Sequence, residues 1–256
     1  MRKPVFDTIR AQRGQGFTPD EVKAVDALLD KLGFDRDEEP APLPVPDPVV
    51  VAPTNGPVGL EDAKAFFDSV RESRIFGGGL TQDQVTGLET VCSVAKSASW
   101  PIAFTAYALA TAAHETAYKM HPVREAFWFD ENWRRRNLRK YYPFYGRGYV
   151  QLTWKENYEK ADRELDLGGR LTGNLDVALE PDIAARIMVR GMQEGWFAAD
   201  RKTRKPHTLA VHLPATGVAS VAQMMSARRI INGIDKKREI AEVALKFQKA
   251  LQAGGW

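Results

Sequence analysis

One stretch, Pro101 to Glu125 (PIAFTAYALATAAHETAYKMHPVRE), constrains the fold more than any other. Its first part, 101–117, predicts a helix. It is Ala-rich, free of Gly, and opened by Pro101 at a favoured first-turn position. It is apolar on nearly every face, so it belongs inside a core rather than on a surface. Yet it ends in His114-Glu115-Thr116, and helical spacing places Glu115 on the stripe of Phe104, Ala108 and Thr111. A carboxylate at the end of a buried apolar helix is costly to ionise, so its pKa is expected to rise. A carboxylic acid held protonated near neutral pH suits general-acid catalysis. On this stretch alone a structural Glu that caps a loop or pairs with an arginine is slightly favoured.

The chain's 256 residues suffice for one sizeable core plus a small appendage. A formal charge of +3 suits an anionic partner without indicating nucleic acid. Cys92 is the only cysteine, so no intramolecular disulfide can form, and Val91 and Val94 beside it suggest a buried thiol in a reducing compartment. The start, MRKPVFDTIRAQRG, has no apolar segment of signal-peptide length, and no run approaches a membrane span, so stable membrane insertion is not expected.

Three segments follow in order. Residues 1–38 read as a small helical unit, with Phe6 and Ile9 on one helix and Val22, Val25, Leu28, Leu29 and Leu32 on a second. Residues 39–57 hold seven of the fifteen prolines and read as a semi-rigid linker reaching roughly 60 Å at ~3.1 Å per residue. After it the first unit recurs: Phe6-Asp7-Thr8-Ile9-Arg10 is matched by Phe67-Asp68-Ser69-Val70-Arg71, and Thr18 to Val22 by Thr81 to Val85. Duplication and convergence of two amphipathic hairpins both account for this. Lys119 to Tyr142 reads as loop-rich, with a basic run from Arg134 to Lys140 whose default reading is a solvated face. The string from Tyr141 to Trp154 has glycines for a turn and alternating β-formers after it, predicting a short hairpin or strand. Aromatics interleaved with polar groups there fit either a sugar-binding groove or a core corner. Helices are predicted at Tyr158–Leu165, Pro181–Trp196, Val218–Arg229 and from Asp235 onward, with a basic, Pro-containing loop at 198–217. The expected class is mostly α, an α+β layout with a vestigial sheet.

Four pieces, in order and spacing, resemble the family 19 glycoside hydrolases, the chitinase-like branch of the lysozyme superfamily. They are Ala112 to Thr116, Tyr145 to Trp154, Pro181-Asp182 leading to Trp196-Phe197, and Ile230-Ile231-Asn232-Gly233. The resemblance spans about residues 60–250, and the chain looks most like the bacteriophage and prophage endolysins. It implies a lysozyme-like catalytic domain over 58–256 and roles for single residues. Glu115 matches the general acid. Thr153 stands where that family has a Ser or Thr that helps hold the attacking water. Gln151, Asn157 and Asn232 match groups lining the substrate cleft, and Arg238 matches a later arginine. His114, Tyr145, Arg147 and Trp154 complete the substrate-binding set. Such enzymes invert, so a second carboxylate is needed about 6.5–9.5 Å from the acid. Glu125 is the first candidate, kept ionised by Arg124, with Glu131 as its rival and Asp130 third.

The implied activity is hydrolysis of the glycan strands of bacterial peptidoglycan by a monomer. It needs no cofactor and no nucleic acid, and it implies accumulation in the host cytoplasm before release to the cell wall through a holin-type pore. The small N-terminal unit would bind the wall or dock on the catalytic domain. Two alternatives share the motifs: a chitinase acting on N-acetylglucosamine polymers, and a catalytically inactive wall-binding protein. No metal site is expected, because His114-Glu115-Thr116-Ala117-Tyr118 lacks the second His of a zinc-peptidase motif. Cys92 has no base beside it in sequence, which argues against a cysteine amidase.

Overall fold

The computed structural model describes residues 59–231 and 233–256. The expected N-terminal unit, the linker and the first copy of the repeat lie outside the described residues.

The second copy of the repeat forms two helices, α1 (Ala63–Glu72) and α2 (Gln82–Ser97). Asp62 caps the first, accepting from the Ala65 amide. Thr81 and Gln84 make a reciprocal capping box on the second. The apolar stretch then forms α3 (Ile102–Glu115), in which Ala103 to Ala113 are all buried. The helix is shorter than the predicted 101–117. Pro101 sits in an extended conformation as its N-cap, and Ala117 and Tyr118, with φ of 49° and 61°, turn the chain out of it.

Strand β1 (Val123–Arg124) pairs antiparallel with β2 (Arg147–Gly148), with Val123 opposite Gly148. The predicted β-formers after Gly148 do not extend the strand. They curl back, so that Leu152 bridges Arg147, because Tyr149, Val150 and Leu152 all bury in the core. Between the strands, the segment read as loop holds α4 (Glu131–Asn137), capped by Asp130. Its basic run is not wholly solvated, because Arg134 points inward and is buried.

Next come α5 (Lys155–Glu164), α6 (Arg170–Gly173), a 3-10 turn at Leu175–Leu179 and α7 (Pro181–Glu194). The predicted loop at 198–217 contains an isolated bridge, Ala199 to Pro206, and the short α8 (Leu209–His212). The helix expected over 218–229 is α9 (Val221–Ala227), capped by Ser220 and followed by a 3-10 turn at Arg228–Ile230. The last helix, α10 (Lys237–Ala253), begins after Asp235 because Lys236 is left-handed, with φ of 50°. The described chain is thus mostly helical with a small two-stranded antiparallel sheet. Among the described residues no helix is long and apolar enough to cross a membrane.

Helix α3 is the axis of the core. Helix α10 lies along it and also packs on α1 and α9, while α2 packs on α3 and α7. Cys92 is fully buried, as its neighbours suggested, and burial pushes its thiol well above the usual range. Gly87 of α2 is where the 117–121 turn crosses the helix. A Cβ there would stand 1.7 Å from the Met120 carbonyl oxygen, which is immovable backbone. Gly87→Ala is expected to lower stability by about 2 kcal/mol, read as a reduced urea midpoint with unchanged m-value.

A hydrogen-bonded chain joins α8 to its surroundings. His207 Nδ1 lies 3.1 Å from His212 Nε2, and His212 Nδ1 lies 2.9 Å from Ser226 Oγ on α9. Burial, His207 and Arg229 push His212 down to about 4 from an ordinary 6.5. The unfolded chain therefore takes up a proton at this group between those values, where the folded chain does not. The stabilisation is complete above about pH 6.5 and is lost as pH falls toward 4. Stability measured by denaturant at pH 7 and pH 5 should fall on acidification, and His212→Gln should flatten that fall.

Candidate active site

The C-terminal end of α3 carries Glu115 on the chemically loaded end of an otherwise apolar helix. Its side chain is 17% exposed and pairs with Arg228, which is 1% exposed. Arg228 Nη1 donates to Glu115 Oε1 at 3.0 Å, and Arg228 Nε donates to the Asp235 carbonyl at 3.0 Å. Of the two readings of this stretch, the Glu that pairs with an arginine is the one present, because the 3-10 turn after α9 brings a guanidinium to the helix end. Nearby, Tyr107 and Thr111 are fully buried, and their hydroxyls have no partner among the described residues. Burial pushes the Tyr107 phenol up to about 12. Burial also lowers the His114 pKa from its usual value; Glu115 opposes this and Arg228 reinforces it.

Glu125 follows β1 and lies over Gly146. The Glu125 amide donates to the Gly146 carbonyl at 2.6 Å, and the Gly146 amide returns a bond to Glu125 Oε2 at 2.9 Å. Tyr141 Oη donates to Glu125 Oε1 at 2.7 Å. Both carboxylate oxygens are thus acceptors. Burial, with Glu125 adding to it, pushes the Tyr141 phenol far above its usual range, so that it remains a donor. A Cβ on Gly146 would stand 2.8 Å from Gln151 Oε1 and 3.2 Å from Glu125 Oε2, so the two side-chain oxygens close on the glycine from the same side. Arg124 does not serve Glu125 as expected; its guanidinium goes to Asp176, with Nη2 to Oδ2 at 2.6 Å.

Glu131 accepts from Tyr145 Oη at 2.9 Å and from Arg134 Nη1 at 3.4 Å. Arg134 also donates to the carbonyls of Glu125 and Ala126, locking the chain just after Glu125. Asp130 is occupied as the N-cap of α4.

The structure brings Glu125 and Gln151 together at Gly146, and a chain of bonds runs from Gln151 on to Thr153 and Asn157. Thr153 Oγ1 donates to the Gln151 carbonyl at 2.7 Å, and Asn157 Nδ2 donates to the Thr153 carbonyl at 2.8 Å. Gln151 Nε2 donates to the Val123 and Gly148 carbonyls, which aims its Oε1 at Gly146. Trp154 is 39% exposed and meets Tyr141 edge-on. Tyr145 and Arg147 lie behind this surface and are buried. Arg147 donates to Asp176, to the carbonyls of Pro143 and Tyr145 and to the Tyr158 hydroxyl, and its guanidinium lies 3.8 Å from the Tyr145 ring centre. Arg238 stands apart, exposed on α10 and bonded to Glu242. Asn232 lies outside the described residues.

Sequence reasoning missed Arg228, Tyr141 and Asp176. Arg228 precedes Ile230-Ile231-Asn232-Gly233 and Tyr141 opens the aromatic string, so proximity to a motif was the available signal for both; Asp176 carried none. The cluster has exposed aromatic flanks, Trp154 on one part and Trp128, 53% exposed, three residues after Glu125. A concavity of about 540 Å³ lies beside the 117–121 turn, lined by Phe76, Gln84, Tyr118, Lys119 and His121, and neither Glu115 nor Glu125 lines it. Comparison with protein-family models, curated proteins and solved structures gave no match.

Removing one member of a buried ion pair leaves the other charge unpaired. Arg228→Met is expected to cost about 3 kcal/mol of stability. In the double variant with Glu115→Gln much of that loss should return, and chemical denaturation across the four proteins measures the coupling.

Proposed function

We propose that the chain hydrolyses the glycan strands of bacterial peptidoglycan by an inverting mechanism, within a lysozyme-like fold. The observation that carries this reading is the pair of carboxylates in contrasting settings. Glu115 ends an apolar helix against one buried guanidinium, and Glu125 is cradled by the Gly146 amide and a phenol. The motif resemblance to family 19 glycoside hydrolases supports it independently.

In this reading Glu115 protonates the glycosidic oxygen. Arg228, bonded to Glu115 Oε1, orients the carboxyl group and faces the charge left on it once the proton has gone. Glu125 takes the proton of a water that attacks the opposite face of the sugar. In this reading the water lies against Glu125, on the side where Gln151 Oε1 converges with it beside Gly146. Trp154 and Trp128 offer faces on which pyranose rings stack. Tyr145 and Arg147 act from behind, by holding Gly146 in place.

Mass spectrometry of fragments from purified peptidoglycan tests the proposal. Wild type should release new reducing sugar ends, and Glu115→Gln should lower that rate by about 10²–10⁴-fold with the fold intact. Released peptides with uncut glycans would sink the assignment. Release from colloidal chitin but not from peptidoglycan would replace the substrate while keeping the chemistry.

A further inference from the structure

The basic loop singled out in the sequence, Arg201-Lys202-Thr203-Arg204-Lys205, plays no part in the chemistry above. In the structure it is a built turn. The Asp200 amide donates to the Lys205 carbonyl at 2.8 Å, and the Arg204 amide donates to the Asp200 carbonyl at 2.9 Å. Asp200 Oδ1 accepts from the Lys202 amide, the Thr203 amide and the Thr203 hydroxyl, at 3.0, 2.7 and 3.0 Å. Asp200, the acid that opens the turn, is therefore committed to folding it. The root is fastened as well. Ala199 bridges Pro206, the His207 amide donates to the Ala198 carbonyl, and the His207 ring continues through His212 to Ser226 on α9.

The four cations at the tip are exposed, and none pairs with a carboxylate among the described residues. Arg124, Arg147, Arg163, Arg170, Arg190 and Arg228 each have an acidic partner, whereas Arg135, Arg136, Arg139 and Lys140 of the earlier basic run, like the finger, have none among the described residues. Four uncompensated charges on five residues repel one another, a cost that an anion removes. Because the turn is ordered beforehand, little further ordering is needed on binding. Two guanidinium forks match tetrahedral phosphate oxygens, and two ammonium groups add unoriented charge.

We propose that this finger, 201–205, binds the phosphate groups of a linear polyanion, namely the phosphodiester polymers carried by bacterial cell walls. The choice of carrier rests on the glycan-hydrolase reading; the cationic site does not. Bound there, the finger holds the enzyme on the wall while the carboxylates work elsewhere. A polymer with one charge per repeat engages several cations together, so binding weakens steeply with salt.

Co-sedimentation with purified walls tests this. The full chain carries Glu115→Gln so that the walls stay intact, and each wall preparation is used before and after chemical removal of its phosphodiester polymer. Lys202→Gln/Lys205→Gln should lower affinity for intact walls roughly tenfold at low salt and reduce the salt dependence. Arg201→Gln/Arg204→Gln should do the same with an unchanged unfolding midpoint. Lys246→Gln/Lys249→Gln removes equal charge from the exposed side of α10 and should change nothing. Equal binding to stripped walls, or an equal loss in that control, would overturn the proposal. So would preference for a nucleic-acid duplex, or for anionic phospholipid vesicles, over intact walls at one ionic strength. Binding is read without hydrolysis, so an enzyme that proves inactive leaves this result standing, and a failed finger leaves the glycosidase assay untouched.

Discussion

A carboxylate and a guanidinium desolvated together at the end of an apolar helix set the terms for the rest of the structure. Glu115 and Arg228 each offset the cost of desolvating the other. The pair joins segments 113 residues apart, and the second Arg228 bond, to the Asp235 carbonyl, ties in the chain leading to α10. Helix α10 can then lie along α3, burying Ile240, Ala244, Phe247 and Leu251. Because α3 has no polar side, every neighbour must present apolar surface to it, and the polar groups are driven to its end. Concentration of chemistry at that end is a consequence of the helix's composition.

A second buried guanidinium organises the other half of the site. Arg147 and Arg124 share Asp176, and Arg147 also reaches Tyr158 and the backbone of Pro143 and Tyr145. Alternate residues of an extended segment point to opposite sides. Tyr145 and Arg147 therefore face inward together, and Gly146 faces Glu125. This separates appearance from role in the Tyr-Gly-Arg string. Its two conspicuous side chains are structural, and the residue that meets the carboxylate is the one with no side chain.

The sequence made legible what depends on local pattern. The burial of Ala103 to Ala113, the capping box at Thr81 and Gln84, and the amphipathic face of α10 follow from spacing and cap chemistry that few contexts override. What was not legible depends on which distant group a charge finds. Arg124 was assigned to Glu125 because the two are neighbours in sequence, yet a two-residue strand points neighbours apart, and Arg124 meets Asp176 instead. Arg134 looked like one member of a solvated run, but the first turn of α4 aims it at the Glu125 and Ala126 carbonyls. The β-formers Tyr149, Val150 and Leu152 satisfied a strand pattern and were taken by the core.

Backbone strain is concentrated where the two carboxylates are held. Ala117, Tyr118 and Met120 lie between Glu115 and Glu125, Ala126 follows Glu125, and all four have positive φ, as do Gln151 and Trp154. Left-handed geometry costs a residue with a side chain about 1–3 kcal/mol, so it survives only where the surroundings over-determine it. They do here. Tyr118 donates to the Ala113 carbonyl and its own carbonyl accepts from Gln84. The Met120 amide donates to Thr116 Oγ1. Arg134 holds the Ala126 carbonyl, and Gln151 bonds two carbonyls of the small sheet. Glycine would relieve the strain at each of these positions, but at 151 and 154 it would also remove the amide aimed over Gly146 and the exposed indole beside Tyr141. The chain tolerates unfavourable backbone there, and the side chains it thereby keeps are ones that the glycan-hydrolase reading needs.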